Sequence, residues 1–150
     1  MSDDDSSWVA RRRRAVDAHA AALEQRRAAE TERARRLVAD FAREARERGL
    51  RVSRLTARGY GGRARYRTGL RGWYLRPDNS IAVGVDGSYY VLSVPDGLRA
   101  RLTGAVVPPQ DPRLIVGEGG RDGESMPLEA LLRQRLAAGD DWPAGAGRSG

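Results

Sequence analysis

The sequence predicts an α+β fold with a long N-terminal helix, an antiparallel β-meander of four to five strands and a C-terminal helix. Three observations predict it. No Pro or Gly interrupts residues 8–48, apolar residues alternate along 51–94, and leucines recur at helical spacing in 127–138. We expect four segments: a disordered acidic tip at 1–7, the helix at 8–48, an α+β core domain at 50–139 and a disordered tail at 140–150.

The predicted N-terminal helix carries an incomplete heptad stripe. The apolar residues seven apart are Val9, Val16 and Leu23. The seam also contains Arg13, Arg27 and Glu30, which weaken it. We expect residues 34–48 to pack on the core domain through Leu37, Val38, Phe41 and Ala45. Residues 8–33 stay open to either a second copy of the chain, as a coiled coil, or another protein partner.

The strongest strand signal is the pair 81–85 and 88–92, joined by Asp86-Gly87, a sequence typical of a two-residue hairpin turn. That turn places Val83 opposite Tyr90, and a three-residue turn at 77–79 places Trp73 opposite Val83. A four-residue loop is expected at 68–71. In this register one face holds Ala64, Tyr66, Trp73, Leu75, Ile81, Val83, Tyr90 and Leu92. The other face holds Arg63, Arg65, Arg67, Tyr74, Arg76, Ala82, Gly84 and Tyr89.

The C-terminal helix is expected over about 127–138, with a buried leucine stripe and Gly139 as its stop signal. The stripe consists of Leu128, Leu131, Leu132 and Leu136. A glycine-rich loop at 117–124 precedes this helix. It lacks the Lys of a phosphate-binding P-loop and the alternating acids of a calcium loop, so it is expected to be an ordinary connector.

The net charge of the chain is concentrated in one stretch. Residues 49–80 hold eight Arg against the single acid Asp78, while the whole chain has a net charge of +7. Because the chain uses Arg and no Lys, a bias typical of GC-rich bacterial genomes, the number of arginines says little. Their clustering says more, and Tyr60, Tyr66, Trp73 and Tyr74 lie among them. A basic, aromatic segment of this kind is typical of nucleic-acid binding.

We therefore expect a non-catalytic protein that binds RNA or single-stranded DNA with little sequence preference. The phosphate-contacting residues are predicted to be Arg58, Arg63, Arg65, Arg67 and Arg76, with Arg58 in a flexible loop at 58–63. Tyr74 and Tyr89 are predicted to stack on bases. A competing interpretation is that the N-terminal helix covers this face. The alternative function is a protein-interaction module that works through the N-terminal helix.

Several classes of function find little support in the sequence. There is no Cys, and the lone His19 stands in a charged helical stretch, so no catalytic set, cofactor or metal site is predicted. An enzyme acting on an anionic small molecule at 117–124 is the least favoured alternative. No apolar run approaches the ~20 residues of a membrane-spanning helix, and the acidic N-terminus is unlike a signal peptide. We expect no membrane partner and a cytoplasmic location.

Overall fold

The computed structural model describes residues 2–117 and 125–142 and has the predicted α+β fold. These ranges contain three α-helices, α1 at Ser2–Glu47, α2 at Leu98–Thr103 and α3 at Leu128–Ala138, and a short 3₁₀ helix at Gly139–Asp141, where the expected disordered tail begins. The main sheet contains β1 at Ser53–Gly59, β2 at Arg65–Tyr74, β3 at Ile81–Gly84, β4 at Tyr89–Val91 and β5 at Ser93–Val94. A small hairpin pairs β6 at Ile115–Val116 with β7 at Met126–Pro127. Within the described ranges, no helix is both long and apolar enough to cross a membrane.

Helix α1 packs on the domain through its last third alone. The buried residues there are Ala34, Val38, Phe41, Ala42 and Ala45, with Leu37 partly buried, which confirms the expected packing of 34–48. The helix begins at Ser2, so the residues expected to form a disordered tip continue the helix. Residues 5–30 are exposed except for the half-buried Ala22. At 1.5 Å per residue, about 39 Å of helix therefore projects from the domain.

The main sheet has the order β4-β3-β2-β1-β5. Strands β1 to β4 form the expected antiparallel meander, and β5 adds an unexpected parallel pairing with β1. Only Leu92 separates β4 from β5, so one segment of chain pairs with β3 at one edge and with β1 at the other. The Arg58 N–H donates to the Leu92 carbonyl at 3.0 Å, and the Tyr60 N–H donates to the Val94 carbonyl at 2.9 Å. The sheet thus curls until its two edges meet.

The curled sheet is buried on both of its faces. Its interior holds Leu55, Ala57, Tyr66, Tyr74, Ala82, Tyr90, Leu92 and Val94, closed by Ala105 and Val107. Its outer face, along β2 to β4, holds Trp73, Leu75, Ile81, Val83 and Tyr89 under α1 and α3. The Phe41 ring meets the Trp73 ring edge to face, with centroids 5.9 Å apart. The single core face expected from the sequence is therefore two clusters, one on each side of the sheet.

The β3–β4 hairpin differs from its expected register by one residue. Trp73 lies opposite Val83 as predicted, but Val83 lies opposite Tyr89 and not Tyr90. Because the Gly84 N–H bonds to the Ser88 carbonyl, at 2.8 Å, the turn between the paired residues has three residues, 85–87, and not the expected two. The Asp86 carboxylate also accepts the Ser88 N–H at 3.0 Å. Since side chains alternate along a strand, this slip exchanges the faces of the two tyrosines.

The loop expected at 68–71 is instead a bulge inside the long strand β2. Arg54 pairs with Arg71 and Thr56 pairs with Arg67, so residues 68–70 all lie opposite Leu55. Gly69, at φ 73°, accommodates this distortion. Because β2 continues through the bulge, Tyr66 and Tyr74 share the interior face, whereas the expected loop placed them on opposite faces.

Helix α3 carries one buried residue that its leucine pattern did not predict. Leu128, Leu131 and Leu132 are buried as expected, and Leu136 is partly buried. Arg135 is buried as well, and desolvation lowers its pKa. Its guanidinium donates to the carbonyl oxygens of Tyr74 and Gly139, both at 2.8 Å, and lies over the Trp142 ring. Most of the glycine-rich loop (118–124) and of the tail (143–150) lies outside the described residues.

Candidate nucleic-acid interface

The outer surface of the sheet is divided into two halves. Helices α1 and α3 cover the half formed by the end of β2 with β3 and β4. The half formed by β1 and the first part of β2 carries exposed arginines. These residues, which we call the arginine face, are Arg54, Arg58, Arg65, Arg67 and Arg71. The competing expectation that the N-terminal helix covers the sheet therefore holds for the apolar half and not for the arginine face.

Strand pairing places the charges of the arginine face directly against one another. Arg58 lies opposite Arg65, and Arg54 lies opposite Arg71. Directly opposed side chains in an antiparallel pair have Cβ atoms about 5 Å apart, and like charges in such pairs destabilise the sheet. The Arg65 guanidinium donates to the Thr56 hydroxyl at 3.2 Å. The sheet therefore tolerates a local repulsion that its own backbone pairing creates.

The positive charge of the arginine face has no carboxylate partner among the described residues. The ion pairs found among the described residues instead involve arginines of α1 and α3, such as Arg43 with Asp40 and Arg133 with Glu129. The acids that could screen the arginine face are absent from the local sequence, since Asp78 is the single acid in 49–80. An uncompensated cluster of guanidinium groups is a candidate site for phosphate groups.

The predicted phosphate-contacting residues are only partly brought together. Arg65 and Arg67 lie on the arginine face, and Arg58 lies beside them in β1 rather than in a loop. Arg63 is exposed in the connection between β1 and β2. Arg76 lies two residues beyond the far end of β2, eleven residues after Arg65, which begins the strand. The structure therefore does not join Arg76 to the others.

The two tyrosines expected to stack on bases are buried. Tyr74 is 8% exposed and points into the curled sheet. Its hydroxyl accepts the Thr56 N–H at 3.0 Å and donates to the Arg54 carbonyl at 3.3 Å, so it bonds to the side of β1 that faces away from β2, where β5 no longer pairs. Tyr89 is 7% exposed beneath α1, and burial raises its pKa. In this structure neither ring offers a face to a base.

The connection between β1 and β2 carries Tyr60, which is 70% exposed, and is anchored by Asp96. One Asp96 carboxylate oxygen accepts the Tyr66 hydroxyl and the other accepts the Gly61 N–H, both at 2.7 Å. A Cβ at Gly59 would lie 1.8 Å from that carboxylate, so a side chain at position 59 would have to displace it. Asp96 was missed by the sequence analysis, and the glycines around Tyr60 were the signal for such a close approach.

A second feature missed from the sequence is the apolar rim beside the arginine face. Arg67 and Arg99 both line an open depression of about 930 Å³ between β2 and α2. None of the residues of α2 is buried, and Leu98 and Leu102 are 70% and 67% exposed. Val106, which follows the helix, is exposed too. The arginine face therefore borders a surface that combines basic and apolar side chains.

The predicted partner-binding residues lie on the projecting part of α1. Val9, Val16 and Leu23 are all exposed. His19 is exposed on the same segment. In the described ranges, no group of three His, Asp or Glu residues could hold a metal ion.

Comparisons of the chain with protein-family models, with curated proteins and with solved structures find no match.

Proposed function

We propose that this protein binds nucleic acid through phosphate contacts from the arginine face, with little sequence preference. The observation that carries the proposal is the direct opposition of Arg58 and Arg65, and of Arg54 and Arg71, without carboxylate partners in the described part of the chain. A phosphate between opposed guanidinium groups replaces their repulsion with two favourable interactions. Arg is well suited to this role because its planar fork matches phosphate geometry.

The extent of the arginine face favours a polymer over a small anion. Arg54 and Arg58 are four residues apart in one extended strand, which corresponds to about 13 Å. Their partners Arg71 and Arg65 repeat that spacing on the neighbouring strand. A single phosphate cannot span this surface, whereas a nucleic-acid backbone presents a row of them.

The burial of Tyr74 and Tyr89 changes the expected mode of binding. We assign base stacking to the exposed ring of Tyr60 alone, beside Arg63. Leu98 and Leu102 supply apolar contacts to sugars or bases at the rim. Since most contacts are then with the backbone, single-stranded and duplex nucleic acids are both expected to bind. This role is in keeping with the cytoplasmic location expected from the sequence.

The test is fluorescence anisotropy of labelled single-stranded and duplex oligonucleotides titrated with the protein. The double variant Arg58→Gln/Arg65→Gln removes two charges from the arginine face. Its matched control, Arg43→Gln/Arg133→Gln, removes two exposed, ion-paired charges from α1 and α3.

We expect the arginine-face variant to lose about tenfold or more in affinity, because each phosphate contact contributes to salt-sensitive binding, and the control to lose far less. Equal losses in the two variants, or no binding by the wild type at low salt, would contradict the proposal.

A further inference from the structure

The projecting half of α1 carries an apolar stripe that nothing in the described chain covers. Val16 and Leu23 lie seven residues apart, and the same heptad position continues to Leu37, which packs against the domain core. The second heptad position of the stripe, four residues after the first, is occupied by Ala34 and Phe41, and the domain buries both. The two seam positions therefore run along the whole helix; the domain covers them from residue 34 onward, and before it they are exposed, with Arg13, Arg27 and Glu30 interrupting the apolar residues.

We propose that a second copy of this chain covers the stripe, with the two projecting helices paired antiparallel. The domain itself fixes this orientation. In a parallel pair, the partner helix would run along the same stripe into the space that the domain occupies over Ala34 and Phe41. In an antiparallel pair, each domain lies beyond the N-terminal end of the other helix.

The length of the free segment sets the register of the pair. Residues 5–30 of each chain are free of the domain, so full overlap places residue 5 of one chain opposite about residue 31 of the other. Val9 then lies opposite Arg27 of the second copy, Val16 opposite Ala20 and Leu23 opposite Arg13. Each seam arginine therefore faces an apolar side chain and not another arginine. A parallel pair would instead place Arg27 against Arg27 and Arg13 against Arg13 at the seam, where like charges repel.

A groove at the base of the projecting segment fits the N-terminal end of a second copy. It has a volume of about 600 Å³ and is lined by Arg27 and Glu30 of the seam and by residues 112–115. Ile115 is exposed there, and Arg113 adds positive charge. In the antiparallel register, the exposed Trp8 and Val9 of the second copy reach the apolar side chains of this groove. Asp5 brings the negative charge that complements Arg113.

The association is tested by sedimentation equilibrium from low micromolar to submillimolar protein. We expect the mass to rise from the 16.4 kDa of one chain toward twice that value as concentration increases. Val16→Asp is expected to remain monomeric, because it places an unpaired charge in the seam opposite Ala20 of the second copy. Gln25→Asp, on the opposite side of the helix, is the control and should associate like the wild type. An unchanging monomer mass for the wild type would overturn the proposal.

The orientation is tested by disulfide trapping, since the chain has no Cys of its own. We prepare Val9→Cys and Arg27→Cys and expose each alone, and then their mixture, to an oxidising glutathione buffer. The mixture is expected to give a disulfide-linked dimer of the two different chains, and each variant alone should give little. Efficient cross-linking of Val9→Cys to itself would indicate a parallel pair and overturn the proposal. Both experiments are independent of nucleic-acid binding.

Discussion

At the scale of single residues, Tyr74 shows how one hydroxyl can compensate for an interruption in a sheet. The Arg58 N–H bonds to Leu92 and not to β2. The Thr56 N–H and the Arg54 carbonyl, at alternate positions of β1, therefore also face the β5 side, where β5 pairs with the end of β1 alone. The Tyr74 hydroxyl bonds to both of them from the interior of the sheet. A buried backbone group left unpaired costs on the order of 1–3 kcal/mol, so this contact supports the strand that carries the arginine face.

We expect Tyr74→Phe to lower the free energy of unfolding by about 1–2 kcal/mol, because two backbone groups lose their partner. Oligonucleotide affinity should stay nearly unchanged, since the ring is buried. Urea unfolding and anisotropy measure the two effects. Tyr89→Phe is the control, because no hydrogen bond involves the Tyr89 hydroxyl among the described residues. A large loss of affinity with unchanged stability in Tyr74→Phe would restore the stacking role and contradict this account.

Asp96 links stability to pH. The pKa of the Asp96 carboxyl lies below the usual value. The main cause is the hydrogen bond from the Tyr66 hydroxyl, and the hydrogen bond from the Gly61 N–H is the second. The same Asp96–Tyr66 bond is the main cause that raises the pKa of the Tyr66 hydroxyl. A carboxyl whose pKa is lowered by folding stabilises the fold above its unfolded pKa of about 3.9, and this stabilisation is lost as the pH falls through the folded value.

The corresponding variant is Asp96→Asn, whose amide oxygen accepts hydrogen bonds without carrying a charge. At pH 7 we expect a lower Tm than that of the wild type. The difference should shrink as the pH falls from 5 toward 3, because only the wild type loses a carboxylate there. Thermal unfolding followed by circular dichroism at several pH values measures this. A difference in Tm that does not vary with pH would show that the Asp96 charge plays no part.

At the scale of secondary-structure elements, the β1–β2 pair combines a structural cost with the proposed function. Each strand alternates between interior apolar residues, such as Leu55 and Tyr66, and outward arginines. The cross-strand pair Arg58 and Arg65 should oppose folding, since like charges directly opposite one another destabilise a sheet. If the pair serves binding, removing it should increase stability and reduce affinity at the same time.

We therefore expect Arg58→Gln/Arg65→Gln to raise the free energy of unfolding by up to about 1 kcal/mol at low salt, the size of a cross-strand pair effect. The gain should diminish as salt screens the repulsion. Guanidinium chloride is itself a salt, so urea is the denaturant for this measurement. A decrease in stability would mean that the two arginines hold the strands together. Their opposition would then no longer indicate a ligand-binding site.

Elements with strong local patterns could be predicted from the sequence, and elements defined by distant contacts could not. The leucine spacing of α3 and the apolar second half of α1 predicted both helices and most of the residues that they bury, but not Arg135. Strand β5 has two residues and is defined by its pairing with β1, about 35 residues earlier, so no local pattern reveals it. Gly69 inside a strand was a local signal for the bulge, but it is equally typical of a turn.

At the scale of the whole molecule, three surfaces remain uncovered by the described chain: the arginine face, the apolar rim of α2 and the stripe of α1. The charge pattern along 49–80 predicted a basic surface and named Arg58, Arg65 and Arg67 of the arginine face, but not Arg54 and Arg71. Which tyrosines would join it could not be predicted, because the one-residue slip in the hairpin and the continuous β2 redistribute Tyr66, Tyr74, Tyr89 and Tyr90 between the faces. Face assignments fail in this way because each depends on every turn before it.

The most direct test of the central claim is the salt dependence of oligonucleotide binding. If all five residues of the arginine face contact phosphates, the logarithm of the binding constant should fall with the logarithm of the salt concentration with a slope of roughly −4.5 on duplex DNA, at about 0.9 per contact. Arg58→Gln/Arg65→Gln should reduce the magnitude of that slope by about 2, and Arg43→Gln/Arg133→Gln should leave it unchanged. A slope near zero for the wild type, or the same slope in all three proteins, would contradict the account.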